Sequence, residues 1–213
     1  MTLSYLAGNR IQGLIADRII SLDTISTVTG TTETSKSCSI TVASNTNKLL
    51  IAIIHHEGGA TTSVKIGSTN FTSAVTGTEA SAGTVQIWYL INPTNGSNTV
   101  DWVGTAGTNL AIGLYSLYGC DQTTPIGVTS NTSGVSAQQP NGTITPTTMG
   151  SWILDGLICQ STVQPVVSLT SGYNVTSSAN RYQVSQYNTT PTIGSSNSMS
   201  YSALAGGFAW AWA

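Results

Sequence analysis

The sequence predicts an all-β protein, an antiparallel β-sandwich with an N-terminal extension. Three observations support this fold class. Only 7% of the 213 residues are charged, against ~25% in ordinary domains, which disfavours coiled coils and long surface helices. Short apolar runs recur along the chain, and several alternate large with small or polar side chains. Gly, Asn, Ser, Thr and Pro separate these runs, which is typical of a sandwich or barrel.

Three segments predict interior strands. Residues 48–54 and 152–159 are apolar on both faces, and such strands lie at the centre of a sheet. In residues 208–212 the aromatic side chains alternate with alanines, so we expect one face of a core strand to carry Phe208, Trp210 and Trp212.

Two further strands show a period of two residues, which places alternate side chains on opposite faces of a sheet. In residues 84–91, one face is expected to carry Val85, Ile87, Tyr89 and Ile91. In residues 109–117, one face is expected to carry Leu110, Ile112 and Leu114. Asn95-Gly96 links these two strands and predicts a hairpin turn, because both residues tolerate positive φ. Residues 129–140 are polar and predict a long loop between the two halves of the fold.

The first 25 residues differ from the rest, since they hold four of the fourteen charges and many large aliphatic side chains. We therefore expect an N-terminal assembly arm at residues 1–29 and a sandwich domain at residues 30–213. Free in water, the arm would expose an aggregation-prone apolar surface, whereas contact with neighbouring copies would bury that surface. The side chains expected at this oligomer interface are Leu3, Tyr5, Leu6, Arg10, Ile11, Leu14, Ile15, Arg18, Ile19, Ile20 and Leu22. Asp17 and Asp23 are expected to pair with the arginines across the contact, and the alternative is an arm folded back on its own sandwich.

The residues able to carry chemistry form no recognisable catalytic or metal site. His55 and His56 precede Glu57, but neighbours on a strand point to opposite faces, and we expect both histidines to be exposed at a strand end. No nucleophile elbow, phosphate loop or calcium loop occurs. Three cysteines form neither a metal motif nor a disulfide framework, so we expect small buried thiols at Cys38, Cys120 and Cys159. We predict no catalytic residue, no metal, no cofactor and no enzymatic activity.

Partners are limited by composition as well. A net charge of −2 offers no basic surface for nucleic acid. No apolar stretch approaches the length of a membrane span, and no signal peptide is recognisable at the start. Most aromatic residues fit core positions by their spacing, whereas Tyr173 follows Ser171-Gly172 in a predicted loop and is the candidate glycan contact.

Several segments together resemble a family of jelly-roll β-sandwich domains from phage and archaeal-virus virion proteins, tail fibres and related extracellular surface proteins. The similar segments are NKLLIAI (47–53), WYLINPTNG (88–96), YGCDQTTPI (118–126), SGY (171–173) and FAWAW (208–212). The opening GNRIQG (8–13), followed by Asp17-Arg18, is also similar to the start of structural proteins from such viruses. The resemblance implies a two-sheet jelly-roll-like sandwich and a display or assembly role, and it carries no catalytic residues.

These observations favour a non-enzymatic structural protein, a homo-oligomeric subunit of a virion, tail fibre or extracellular filament. Its expected partners are copies of itself and other virion or surface proteins, and its expected location is a virion or an extracellular surface assembly. The alternative is a carbohydrate-binding or adhesin module with a glycan receptor. A hydrolase on the same sandwich is a weaker alternative.

Overall fold

A computed structural model describes residues 19–135, 139–178, 180–202 and 209–213. These residues form fifteen β-strands and no helix, so none offers a helical membrane span, and the all-β prediction is confirmed. The strands are β1 (Ser21–Val42), β2 (Leu49–Glu57), β3 (Thr61–Ile66), β4 (Thr69–Asn70), β5 (Thr72–Glu79), β6 (Gly83–Ile91), β7 (Gly96–Tyr118), β8 (Thr132–Val135), β9 (Asn141–Ile144), β10 (Ile153–Gln160), β11 (Val166–Val167), β12 (Thr170–Ser178), β13 (Arg181–Asn188), β14 (Asn197–Ser202) and β15 (Ala209–Trp212).

The first sheet has the strand order β4-β3-β7-β2-β6-β5, and β1 pairs with the free side of β7. The predicted hairpin between β6 and β7 is wrong. A turn with Gly96 at a φ of 90° connects the two strands, but β2 lies between them in the sheet and pairs with both. β1 and β7 pair antiparallel along nearly their whole length, with a register shift between Glu33 and Ser35. The two halves of this ribbon have different neighbours, because β7 pairs with β3 near Trp102 and with β2 near Leu114.

The β1–β7 ribbon folds back over the outer face of its own sheet. Ser26 Oγ, in the first half of β1, donates a hydrogen bond of 2.7 Å to the carbonyl of Ser39 in the second half. Both halves contribute to one buried cluster, since Trp102 from the returning part packs with Leu110 and Ile112. Leu114 belongs to the same cluster, which confirms the predicted face of residues 109–117.

The second sheet, with the order β12-β13-β10-β15-β8, covers the other face of the first sheet. The cluster between the two sheets includes Val85, Ile87, Tyr89 and Ile91 on one face of β6, as predicted. β2 and β10 lie inside their sheets, as their apolar sequences predict, because each has a paired strand on both sides. β8 falls within the segment predicted to be a loop, where it pairs with β15.

A third, small sheet of order β11-β14-β9 covers the outer face of the second sheet. The cluster between them contains Trp210 and Trp212, whose shared face confirms the predicted alternation. Phe208 lies outside the described residues. The alanines of β15 face the first sheet, where Ala211 joins the inter-sheet cluster.

The predicted boundary between arm and sandwich, after residue 29, falls inside β1. From Ser21 onward this strand pairs with β7, so residues 21–29 belong to the sandwich. Asp23 is likewise internal, because its Oδ2 accepts hydrogen bonds from the Ala43 amide at 2.8 Å and from Ser116 Oγ at 2.9 Å. Asp23 thus has hydrogen-bond partners within its own chain, and its pairing across an assembly contact stays a prediction. Among the described residues, only Ile19 and Ile20 precede the paired strand.

Candidate functional site

The interface between the first and second sheets has a polar end and an apolar end. At the polar end, Arg181 of β13 forms an ion pair with Glu57 of β2. Asn109 Nδ2 donates to Glu57 Oε2 at 2.5 Å, and Gln183 Nε2 donates to the Asn109 carbonyl at 3.1 Å. These contacts join the two sheets through charged and amide groups, which fixes their relative position as well as their separation.

Further in, His55 of β2 is fully buried and hydrogen-bonded through Nε2 to the hydroxyl of Tyr173, 2.6 Å away, on β12. Burial lowers the pKa of His55 to about 3, with a smaller contribution from His56. The ring is therefore neutral at physiological pH. Burial also raises the pKa of Tyr173 well above its usual value, so the pair is a neutral hydrogen bond between the sheets.

Two tyrosines and two glycines form a reciprocal contact across the interface. An added Cβ at Gly113 of the first sheet would lie 2.0 Å from the Tyr173 ring, and one at Gly172 of the second sheet would lie 1.6 Å from the Tyr115 hydroxyl. Each ring thus occupies space that only glycine leaves open. Tyr115 donates to Ser185 Oγ at 2.6 Å, which extends the polar contacts across the interface.

Asp155 of β10 points the other way, into the cluster under the third sheet, and is fully buried. Its carboxylate accepts hydrogen bonds from Tyr201 Oη at 2.5 Å and from Trp212 Nε1 at 2.7 Å. The backbone amide of Gln186 donates to the carboxylate at 3.1 Å, and the side-chain Nε2 of the same residue donates to it at 3.2 Å. Burial raises the pKa of Asp155 to about 6, while these hydrogen bonds oppose the shift. The carboxylate connects β10 with β13, β14 and β15.

Several expectations about these polar residues are wrong. His55 and His56 are buried, because β2 lies between two packed layers and both of its faces are covered. Tyr173 is buried as well, since it belongs to a strand of the second sheet and points at His55. Its assignment as a glycan contact therefore loses its basis. No role was predicted for Asp155, although a single carboxylate inside an apolar run is a visible signal.

At the apolar end, the two sheets separate around a cavity of about 320 Å³. Its walls are mainly apolar and come from both sheets, with Leu49 and Ile51 on β2 and Leu154 on β10. Two connections close its sides, one running from Cys120 to Ser130 and the other from Ile144 to Trp152. The Trp152 ring stacks on Tyr187 of β13 at 5.7 Å with an interplanar angle of 9°, which fixes one wall.

The mouth of this cavity lies where the N-terminal segment joins the sandwich. Ile20 and Leu22 line the cavity, and Ile19 beside them is 73% exposed. Val128 and Met149 also line it and are 49% and 87% exposed. Exposed large apolar side chains gathered at one site commonly mark a binding surface.

Of the residues predicted for the arm interface, the structure describes Ile19, Ile20 and Leu22. Ile20 and Leu22 pack against the cluster between the two sheets, whereas Ile19 projects from it. The others lie outside the described residues, namely Leu3, Tyr5, Leu6, Arg10, Ile11, Leu14, Ile15 and Arg18. Their role in assembly stays a prediction.

The three cysteines are free thiols, and all are buried, as predicted. Burial raises the pKa of Cys120 to about 11 and that of Cys159 to about 12. Cys120 lines the cavity, whereas Cys38 and Cys159 lie in the two other clusters. Within the described ranges, no three His, Cys, Asp or Glu side chains are grouped so that they could hold a metal ion.

Comparisons with protein-family models, with curated proteins and with solved structures found no match for this chain. The resemblance to virion and tail-fibre domains thus stays a prediction from the segments that carry it. The fold supports its structural part, since the sheets are antiparallel and packed face to face.

Proposed function

We propose that this chain is a non-enzymatic structural protein, a homo-oligomeric subunit of a virion, tail fibre or extracellular filament, which assembles through its N-terminal arm. The observation that carries the proposal is the apolar surface at the junction of arm and sandwich. Ile19 is 73% exposed beside a cavity whose mouth also exposes Val128 and Met149. An apolar surface of this kind favours contact with another protein surface over contact with water.

The polar residues support a structural role. His55 and Asp155 are fully buried and engaged in contacts within the chain. A substrate would have to separate packed sheets to reach either side chain. Their contacts link strands and sheets, which is the role of a scaffold.

Composition supports the same proposal. With 14 charged residues and a net charge of −2, neighbouring copies would repel each other only weakly. The resemblance to virion and tail-fibre domains suggests the setting. We do not propose carbohydrate binding, because the residue expected to contact a glycan, Tyr173, is buried.

The proposal is tested by removing residues 1–18 and comparing the particle size of the two proteins by light scattering and electron microscopy. The full chain is expected to form defined oligomers, and the truncated chain is expected to remain monomeric. A matched control keeps the length and replaces Leu3, Leu6 and Ile11 with serine, which removes apolar area without shortening the arm. Assembly of the truncated chain to the same size as the full chain would show that the arm is not the assembly element.

A further inference from the structure

We propose that the cavity between the first and second sheets is the binding site for the N-terminal arm of a neighbouring copy. This inference rests on the proposed function and names the partner of the assembly site. The apolar side chains between Leu3 and Ile15 would enter the cavity of the next subunit. The bound segment is thus part of the same polypeptide sequence, supplied by a second molecule.

The position of the cavity supports this proposal. The described part of the chain begins beside the cavity, because Ile20 and Leu22 line it. Arms of neighbouring copies would therefore start next to one such cavity and end in another. This arrangement repeats from subunit to subunit, as in assemblies that exchange an identical element.

Chemical complementarity also supports the proposal. The cavity walls are mainly aliphatic and aromatic, and Leu49, Ile51 and Leu117 contribute to them. The arm supplies six large apolar side chains before residue 16, namely Leu3, Tyr5, Leu6, Ile11, Leu14 and Ile15. Burying such side chains in an apolar site is the main source of favourable free energy in association.

The size of the cavity supports the insertion of a short segment. At about 320 Å³ the cavity is at the lower end of the ~300–1,000 Å³ range of ligand sites, so it accommodates a short run of side chains and not the whole arm. The remaining arm residues would lie along the exposed rim, where Val128 and Met149 offer apolar contacts. A short inserted segment with a longer surface contact suits a reversible subunit joint.

The first described residues are held against the sandwich beside the cavity. The Ile19 carbonyl lies so close to Gly119, which lines the cavity, that an added Cβ there would be 2.2 Å from it, and Gly119 has a φ of +75°. Insertion into a neighbour's cavity, and not into the chain's own, follows from the proposed assembly through the arm.

The test uses the native thiol in the cavity wall. Donor chains carry Cys120→Ser and one new arm cysteine, introduced in turn as Leu3→Cys, Leu6→Cys, Ile11→Cys or Leu14→Cys. The acceptor is the full native chain, which supplies Cys120, and a tag distinguishes the two by mass. Mixtures are oxidised with copper phenanthroline at about pH 9, because burial raises the pKa of the Cys120 thiol to about 11.

We expect at least one donor to form a covalent dimer with the native acceptor and none with itself. An acceptor with Cys120→Ser, which keeps Cys38 and Cys159 in other clusters, is the matched control and should give no dimer. If a chain holding both the arm cysteine and Cys120 forms only an internal disulfide, the arm occupies its own cavity and the proposal is overturned. If no donor reacts and native mass spectrometry finds a retained small apolar molecule, the proposal is equally overturned.

A second variant fills the cavity. Ala74 lines it from β5, and Ala74→Phe should block arm insertion and reduce assembly at least tenfold, while the melting temperature stays the same or rises. Thr72→Phe, at an exposed position of the same strand, is the matched control and should assemble normally. If removal of residues 1–18 prevents assembly while Ala74→Phe and the cross-linking show no effect, the arm binds elsewhere, and only this inference fails. If the removal itself has no effect, the proposed function fails.

Discussion

The interface between the first and second sheets is polar and closely joined at one end, and apolar and open at the other. At the polar end, Glu57, Arg181 and the His55–Tyr173 pair join the sheets through directional contacts. At the other end the sheets separate around an apolar cavity with exposed side chains at its mouth. The difference suggests that one end determines how the sheets fit and the other remains available to a partner.

The difference between the two ends predicts separate effects of substitutions on folding and on assembly. Changes near the polar contacts should alter the free energy of unfolding and leave assembly of the folded protein intact. Changes at the apolar end should alter assembly with little effect on folding. The substitutions below are ordered by the size of the effect expected.

The largest effect is expected from Asp155→Ala. The substitution removes the acceptor shared by Tyr201, Trp212 and Gln186 and leaves the buried donors of Tyr201 and Trp212 unpaired. We expect a loss of about 3–5 kcal/mol in the free energy of unfolding, measured by urea denaturation. Asp101→Ala is the control, because Asp101 accepts from Ser37 at the surface and should cost less than about 1 kcal/mol. Equal losses in the two variants would show that the buried carboxylate has no special role.

The next effect is a change in pH dependence on replacing His55. Its pKa is lowered from 6.5 to about 3, so its contribution to stability is complete above pH 6.5 and is lost as the pH falls. The lowered pKa of His56 acts in the same direction. Asp155 acts in the opposite direction, because its pKa is raised from 3.8 to about 6 and its contribution is complete below 3.8 and lost as the pH rises to about 6.

His55→Gln removes one of these opposing contributions. Between pH 4 and 6, the stability of the native protein relative to the variant should rise by about 1.4 kcal/mol per pH unit. Urea midpoints at three pH values in this range measure the difference. Parallel pH profiles for the two proteins would mean that His55 is not buried in its neutral form.

A smaller effect is expected from Tyr173→Phe. The substitution keeps the ring over Gly113 but removes the hydroxyl that pairs with His55 Nε2. We expect a loss of about 1–3 kcal/mol, because a buried ring nitrogen is left without its partner. In Tyr187→Phe the ring stack on Trp152 is retained, so this control should lose clearly less. The thermal midpoints of the two variants provide the comparison.

The features that the sequence predicts are those that depend on residues close together in the chain. The alternation of residues 84–91 and 109–117 predicts the buried faces correctly, because a strand has a fixed period of two. The burial of β2 on both faces also follows from its composition. These are local properties, and neighbouring residues are enough to establish them.

The site depends on contacts that no local pattern encodes. His55 and Tyr173 are 118 residues apart, and the donors to Asp155 come from three other strands. From the sequence alone, His55 and Tyr173 are therefore expected at the surface. The cavity depends on where the sheets separate, which is a property of the packed fold.

The smallest effect on folding is expected from changes at the cavity mouth. Val128→Ser and Met149→Ser affect side chains that are already 49% and 87% exposed, so the free energy of unfolding should change by less than about 0.5 kcal/mol. The concentration needed for half-maximal assembly, measured by sedimentation, should nevertheless rise severalfold. Val166→Ser is the control, because this side chain is 55% exposed on the small third sheet. An equal effect on assembly from all three variants would contradict a specific role for the mouth.

Hydrogen exchange tests the contrast between the two ends most directly. The full chain and a chain lacking residues 1–18 are compared at a concentration where the full chain assembles, with exchange followed by mass spectrometry. We predict slower exchange in the assembled protein for the connections at residues 120–130 and 144–152, and unchanged exchange at β12 and β13 around Tyr173 and Gln183. Equal protection of both ends on assembly, or protection confined to the polar end, would contradict the division of roles described above.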